Sequence, residues 1–274
     1  MNLTFRLTGR SGRPPPPNPP QNSSVQGVYG GSTRRVRRVT DGFVALSPLF
    51  VAAESPYAAV RQPGVFMGKV ITIAQQKGGS GKTTLAVNLA IAYAKRGLRV
   101  ALLDTDPQGS LGRWFLTRRE KLGDPGVDLS TASAWGVSYE CEKLRRINDL
   151  VIVDTPPKVD ADLRPALREA DLVLIPVAAS HVDLWATDGV MDLAARERAR
   201  TLVVLNRSKA NTRLSQDVAD AAAQLGAVAE NRLGHRVAYA ETLGLGLSVS
   251  DGQKSAAQQE VTALADEVAG LLEL

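Results

Sequence analysis

With one cysteine in 274 residues, Cys141, the chain has no intrachain disulfide framework and cannot hold a four-thiolate cluster by itself. It also lacks any run of about 18 consecutive apolar residues, the length a membrane-spanning helix needs. Two further absences concern charge. Residues 1–66 contain no lysine, only eight arginines against Asp41 and Glu54, whereas from Met67 onward 25 basic side chains face 26 acidic ones. The net charge of +5 therefore belongs to the amino-terminal stretch and says nothing about nucleic-acid binding by the rest. Residues 255–274 contain neither lysine nor arginine. Their helical pattern puts Val261, Leu264, Val268, Leu271 and Leu272 on one side, while Glu260, Asp266, Glu267 and Glu273 carry all the charge. Anionic lipid repels such a helix, so it is expected to pack on the domain.

The chain contains 44% hydrophobic and 22% charged residues, enough for a soluble α/β body with a sizeable core. Residues 1–66 show no sustained period of 2 or 3.6. They carry Pro14 to Pro17, Pro19, Pro20 and the cluster Arg34, Arg35, Arg37, Arg38, a composition that reads as disordered. No apolar core of a signal peptide lies between Met1 and Pro20. Met67 stands two residues before the first strand pattern, so a start codon assigned too early is one account of this stretch. A basic arm that touches DNA phosphates is the other.

From Lys69 onward, strand and helix patterns alternate, which predicts a largely parallel sheet with helices on both faces. The apolar run Val70 to Ala74 is followed by Lys77-Gly78-Gly79-Ser80-Gly81-Lys82-Thr83-Thr84 and then by the helical pattern Thr83 to Arg96, which Gly97 stops. A strand that breaks into a glycine-rich turn and opens a helix turns backbone N–H groups and a helix N-terminus toward one point. That is an anion site of the nucleotide phosphate kind. Lys82 would reach the outer phosphates, and the Thr83 hydroxyl would ligate a bridging magnesium ion. The usual spacing would put glycine at position 76; this chain has Gln76 and then a second lysine, Lys77.

The strand Arg99 to Leu103 ends on Asp104-Thr105-Asp106-Pro107-Gln108-Gly109, and helix Ser110 to Leu122 follows, with Trp114 and Phe115 read as packing residues. Residues 123–136 read as loop with a weak strand at Val127 to Ser130, then a helix at Tyr139 to Ile147 that holds Cys141. Leu150 to Asp154 is a fully apolar strand ending in an acid that can hold magnesium through water, and Thr155-Pro156-Pro157 follows it. Beyond it come a helix at Ala161 to Ala170, a strand at Leu172 to Val177, a helix at Asp183 to Arg200 with Leu184, Trp185 and Met191 as expected core, a strand at Thr201 to Leu205 ending on Asn206, and a helix at Val237 to Leu243.

The K-G-G-S-G-K-T-T segment resembles the deviant Walker A motif of the ParA/MinD family of P-loop ATPases, and D-x-D-P-Q-G-S and D-T-P-P resemble the segments that follow it there. The likeness covers Met67 to the C-terminus and implies an ATP- and Mg²⁺-dependent hydrolase. Gly78, Gly79, Ser80, Gly81, Lys82, Thr83 and Thr84 would bind the nucleotide, with Asn206 resembling the adenine-recognising residue. Thr83, Asp104 and Asp154 would serve the metal, Asp106 the attacking water, and Lys77 the nucleotide of the other subunit of a homodimer. Arg207, Lys209, Arg213, Arg232 and Arg236 fall in the regions through which ParA proteins hold DNA without sequence preference. The implied protein is a cytoplasmic, nucleoid-associated partition ATPase stimulated by a ParB-like or cargo-bound partner. A MinD-like membrane cycle lacks its basic C-terminal helix, and a nitrogenase-type reductase lacks its second cysteine. A metabolic ATP-dependent enzyme of the amidase or carboxylase sort remains the alternative.

Overall fold

The computed structural model describes residues 67–274 apart from 159, 160, 179, 210 and 211. The arginine-rich stretch 1–66, with both accounts of it, lies outside the described residues. Six strands form one parallel sheet: β1 Lys69–Ile73, β2 Val100–Asp104, β3 Asp128–Thr131, β4 Leu150–Asp154, β5 Leu172–Ala178 and β6 Thr201–Asn206, in the order β3-β2-β4-β1-β5-β6. All strands thus point their carboxyl ends the same way, and β1 lies between β4 and β5. Ligands of open parallel sheets bind at that carboxyl edge.

The alternation of side chains along each strand divides the core in two. Ile71, Ile73, Leu102, Ile152, Leu174 and Val204 pack on one face beneath α1 Lys82–Ala94, α2 Ser110–Leu122, α8 Val237–Gly244 and α9 Ala256–Leu272. Val70, Leu103, Val153, Ile175 and Leu205 pack on the other beneath α3 Val137–Arg145, α4 Arg164–Arg168, α6 Asp188–Arg196 and α7 Arg213–Leu225. Cys141 is buried on α3, and burial pushes its thiol up to about 12, so it is an inert packing residue.

Every residue of α1 from Leu85 to Tyr93 is buried, as a helix covered on all sides requires. Its one polar intruder is satisfied: Asn88 donates from Nδ2 to the Thr84 carbonyl, while its Oδ1 accepts from the Ser248 hydroxyl and the Val249 N–H. That bond set pins a short turn, 248–251, which Ser248 and Asp251 close as a capping box. Asp251 then receives the buried Arg118 of α2 through both carboxylate oxygens, at 2.6 and 3.2 Å, and Lys95 beyond the end of α1 at 3.3 Å.

Proline in β5 has a positional reason. Ala74 donates to the Leu174 carbonyl, so Pro176, two residues on, shows the same edge to β1. There β1 has already turned away into its loop, and only the Gln75 side chain reaches the Pro176 carbonyl. No ladder N–H is needed.

Four expectations need correction. The single helix expected over Asp183 to Arg200 is two, α5 His181–Trp185 and α6, and Trp185, expected in the core, is 69% exposed. Leu271 of α9 is also exposed, whereas Val261, Leu264, Val268 and Leu272 are buried as expected. The continuous helix expected over Ala161 to Ala170 is a 3-10 turn, Ala161–Leu163, followed by the one-turn α4, which ends at Arg168.

Gly246 and Gly97 both have positive φ, +69° and +90°, but a Cβ on Gly246 would lie 2.5 Å from the Arg118 backbone nitrogen while Gly97 faces open space. Gly97→Ala is expected to cost about 1 kcal/mol. Gly246→Ala adds a backbone clash and should cost roughly 3 kcal/mol or more. Urea-unfolding midpoints of the two variants check the difference.

Candidate nucleotide site at the carboxyl edge of the sheet

The loop between β1 and α1 is shaped by two residues in left-handed conformation, Gly79 at φ 75° and Gly81 at φ 93°. Gly81 precedes α1 and offers no side-chain cap, so the first-turn N–H groups of that helix remain available to an anion. Lys82 is 7% exposed and its Nζ donates to the Gln75 carbonyl at 3.0 Å, closing the loop's two ends on one cation. Burial lowers its pKa, opposed by the negative fields of Asp154 and Asp106.

The acids arrive from neighbouring strand ends. Asp104 and Asp154 are register partners on β2 and β4. Asp154 is 1% exposed; burial pushes its carboxyl up to about 7, and the adjacent Asp104 adds to the shift while the Thr83 hydroxyl and Lys82 resist it. Thr83 Oγ1 donates to Asp154 Oδ2 at 2.6 Å. The other oxygen, Oδ1, is buried with no hydrogen-bond partner. An orphaned carboxylate oxygen beside a P-loop hydroxyl fits a magnesium ion held through water, so Asp154 and Thr83 are the residues that would hold it. Among the described residues no group of three acidic, histidine or cysteine side chains is arranged to hold a metal ion.

Asp104 is engaged differently. Its Oδ1 accepts from the Asp106 N–H and its Oδ2 from the Gly112 N–H, both at 3.0 Å, so in this structure it holds the loop between β2 and α2 together. Asp106 sits on that loop with Oδ1 accepting from the Gln108 N–H at 2.9 Å. Its field reaches both Lys82 and Asp154.

A P-loop, a lysine across its mouth and a threonine–aspartate pair at its side together make nucleotide-triphosphate machinery. In agreement, residues 71–256 match the sequence model of the "CobQ/CobB/MinD/ParA nucleotide binding domain". The chain belongs to this family. It is a P-loop ATPase of the ParA/MinD type. The maintenance of carboxysome distribution protein A of Halothiobacillus neapolitanus is 29% identical over 72% of this chain and 95% of that protein. The chromosome-partitioning ATPase Soj of Thermus thermophilus is 36% identical over 46% of this chain and 59% of its own length. Among solved structures, the ATP complex of a substituted McdA from Cyanothece is similar in fold, with a TM-score of 0.64, 19% identity and coverage of 77% of this chain and 98% of that one.

Within the family frame, the remaining residues take up definite positions. A cavity of about 710 Å³ opens beside the P-loop, lined by Gly81, Thr84, Trp114, Asn206, Arg207 and Arg236 among others. Asn206 is buried with both ends of its amide engaged by main chain: Nδ2 donates to the Ser80 carbonyl and Oδ1 accepts from the Arg207 N–H, each at 2.8 Å. Lys209, Arg232 and Arg236 line a smaller cavity of about 320 Å³ with Glu260. Glu260 takes two hydrogen bonds from the Arg236 guanidinium, so that cation is offset, whereas Arg213 at the start of α7 is 95% exposed with Asp217 at 3.8 Å. Lys77 forms an ion pair with Asp183 of α5 in its own chain.

Sequence reasoning did not assign Asp183 or Glu260 a part. Asp183 stands next to the noted Leu184-Trp185, but the 106-residue separation from Lys77 hides the pair. Glu260 carried no signal beyond its place on an acidic helix. Replacing Lys82 by alanine removes the cation expected to meet the phosphates and should weaken ATP binding roughly a hundredfold with the fold intact; calorimetric titration alongside circular dichroism checks both parts.

Proposed function

We propose that the chain is a ParA-like partition or positioning ATPase that closes as an ATP-bound homodimer, holds DNA without sequence preference, and releases it on hydrolysis. The observation that carries this reading is the second lysine of the P-loop. Lys77 belongs to the loop yet is paired with Asp183 on α5, whereas Lys82 is the loop lysine whose Nζ closes the loop's own two ends. A trans role uses Lys77: exchange of Asp183 for the other subunit's nucleotide couples dimer closure to the loss of one ion pair. Asp183 is well prepared for the exchange, since Ser180 donates to its other oxygen at 3.0 Å and continues to hold it afterwards.

In each subunit Lys82 and the first-turn N–H groups of α1 bind the phosphate chain, and Thr83 and Asp154 position the metal side of it. Magnesium, when bound, neutralises charge on the outer phosphates. Asp106, on a loop whose shape Asp104 fixes, orients the attacking water. Thr155 ties the following D-T-P-P segment to β1 through its hydroxyl on the Ile73 carbonyl at 2.8 Å, so events at Asp154 pass to a stiffened switch. DNA contact falls to Arg213, Lys209, Arg207 and Arg232, with Arg236 secondary because Glu260 offsets it. A cargo-bound partner stimulates hydrolysis, and the protein works in the cytoplasm on the nucleoid.

DNA retention with ATP, with ADP and at raised salt tests the reading. Retention should need ATP, ignore sequence and fall steeply as salt rises, with Arg213→Ala weakening it more than Arg236→Ala. No retention under any nucleotide would favour the metabolic alternative. Asp106→Ala is expected to keep ATP binding, stop turnover and leave the protein on DNA. Asp183→Asn frees Lys77 and should lower the ATP concentration at which light scattering detects dimers; an unchanged threshold would sink the exchange mechanism.

A further inference from the structure

Beyond the sheet, the segment that leaves β6 runs beside the one that leads into α8. Ser208 donates its N–H to the Leu233 carbonyl at 3.0 Å and accepts from the His235 N–H at 2.9 Å, a parallel bridge that carries the line of β6 past its end. The Lys209 carbonyl is held in turn by the hydroxyls of Thr212 and Ser215, at 3.2 and 2.9 Å. These fixed segments form the walls of the 320 Å³ cavity, to which Ser208, Lys209, Arg232, Arg236 and Glu260 contribute. Glu260 is the one carboxylate among the described residues that line it, and it is fully engaged. Its Oε1 accepts from Arg236 Nε and Nη2 at 3.0 and 2.6 Å, and its Oε2 from the Gly234 N–H at 3.0 Å and the Tyr239 hydroxyl at 2.9 Å. With Arg236 matched to that acid, Lys209 and Arg232 leave the wall with two positive charges that no acid of the wall offsets. Ser208 is 5% exposed, and its Oγ has no hydrogen-bond partner among the described residues.

We propose that this cavity binds a phosphate dianion, either inorganic phosphate or the terminal phosphate of a small monoester, at a site separate from the P-loop. Lys209 and Arg232 supply the charge, and the Ser208 hydroxyl donates to one oxygen. A buried hydroxyl without a partner forgoes a hydrogen bond that an entering oxyanion restores. Two cations match two negative charges. A DNA backbone phosphate carries one charge and continues as a chain on both sides, which suits an outward residue such as Arg213, 95% exposed, better than a recess. Because main-chain bonds already hold the walls, little ordering is left for the ligand to do. Lys209 and Arg232 are also among the residues proposed above to touch DNA, so an occupant of the cavity competes with DNA for them. That consequence rests on the DNA reading; the site itself does not.

The test titrates inorganic phosphate, glycerol phosphate and, at matched ionic strength, potassium chloride into the full chain. The backbone amide resonances of Ser208, Lys209 and Gly234 report on the cavity, and those of Gly79 and Gly81 on the P-loop. Saturable shifts at the first three with either phosphate, and none with chloride, are expected; whichever phosphate saturates at lower concentration tells the free anion from the monoester. Ser208→Ala and Arg232→Gln, checked by thermal melting, should each lower the affinity at these amides about tenfold, the worth of one hydrogen bond to a charged group. Shifts confined to the P-loop glycines, shifts that follow ionic strength alone, or an affinity unchanged in both variants would overturn the inference. Should neither variant fold, the wild-type shifts decide. A duplex without terminal phosphates separates the site from DNA contact: Ser208→Ala should leave its retention within about twofold, whereas equal losses of duplex and phosphate would make the cavity part of the DNA surface and defeat the proposal. If wild-type protein retains no DNA, the DNA reading falls while the amide titration still decides this one.

Discussion

The hydrogen bond from Thr83 to Asp154 joins the two halves of the molecule's chemistry. A carboxylate at the end of a central parallel strand is buried on all sides, and its ionised form is costly there unless something polar meets it. The P-loop supplies that partner, and in doing so locks the first turn of α1 to the end of β4. With the left-handed Gly79 and Gly81 shaping the loop and Lys82 closing it on the Gln75 carbonyl, this contact fixes where the helix begins relative to the acids. Asp154 is therefore at once a strand terminus, a burden on the folded state and the reason the phosphate site faces the acids.

Much of this arrangement could be read from the sequence because parallel strands buried on both faces are written as continuous apolar runs, and acids at their ends stand out. Leu150 to Asp154 and Ser110 to Leu122 coincide with the observed elements residue for residue. The edge strand Asp128–Thr131 was faint, since an edge strand with exposed residues lacks the apolar run. α7 was not anticipated at all: its buried side consists of Ser215, Val218 and Ala222, too small and too polar to give a stripe. Trp185 misled for the opposite reason, a large apolar side chain in a segment that breaks into two helices and leaves it outside.

In the site, the glycines, Lys82, Thr83 and Asp154 were legible because their chemistry is local and ordered along the chain. What could not be seen was how charges and amides are spent on distant partners. Asn206 on Ser80, Lys77 with Asp183, and Arg236 with Glu260 each join residues far apart in sequence, and no local pattern encodes them. Residue type suggested capacities; only the fold shows which are already committed.

The shared carboxylate of Asp251 has one more implication. Helices α1 and α2 begin on different sides of the phosphate site, one at the P-loop and one just past the Asp106 loop, yet the cations near their far ends, Lys95 and Arg118, meet on the same acid. Two rods joined at one end form a bracket: neither can pivot without dragging the other. Rearrangement that accompanies a nucleotide cycle is thereby steered into the short connections at the carboxyl edge, while the scaffold behind them behaves as a single rigid mount.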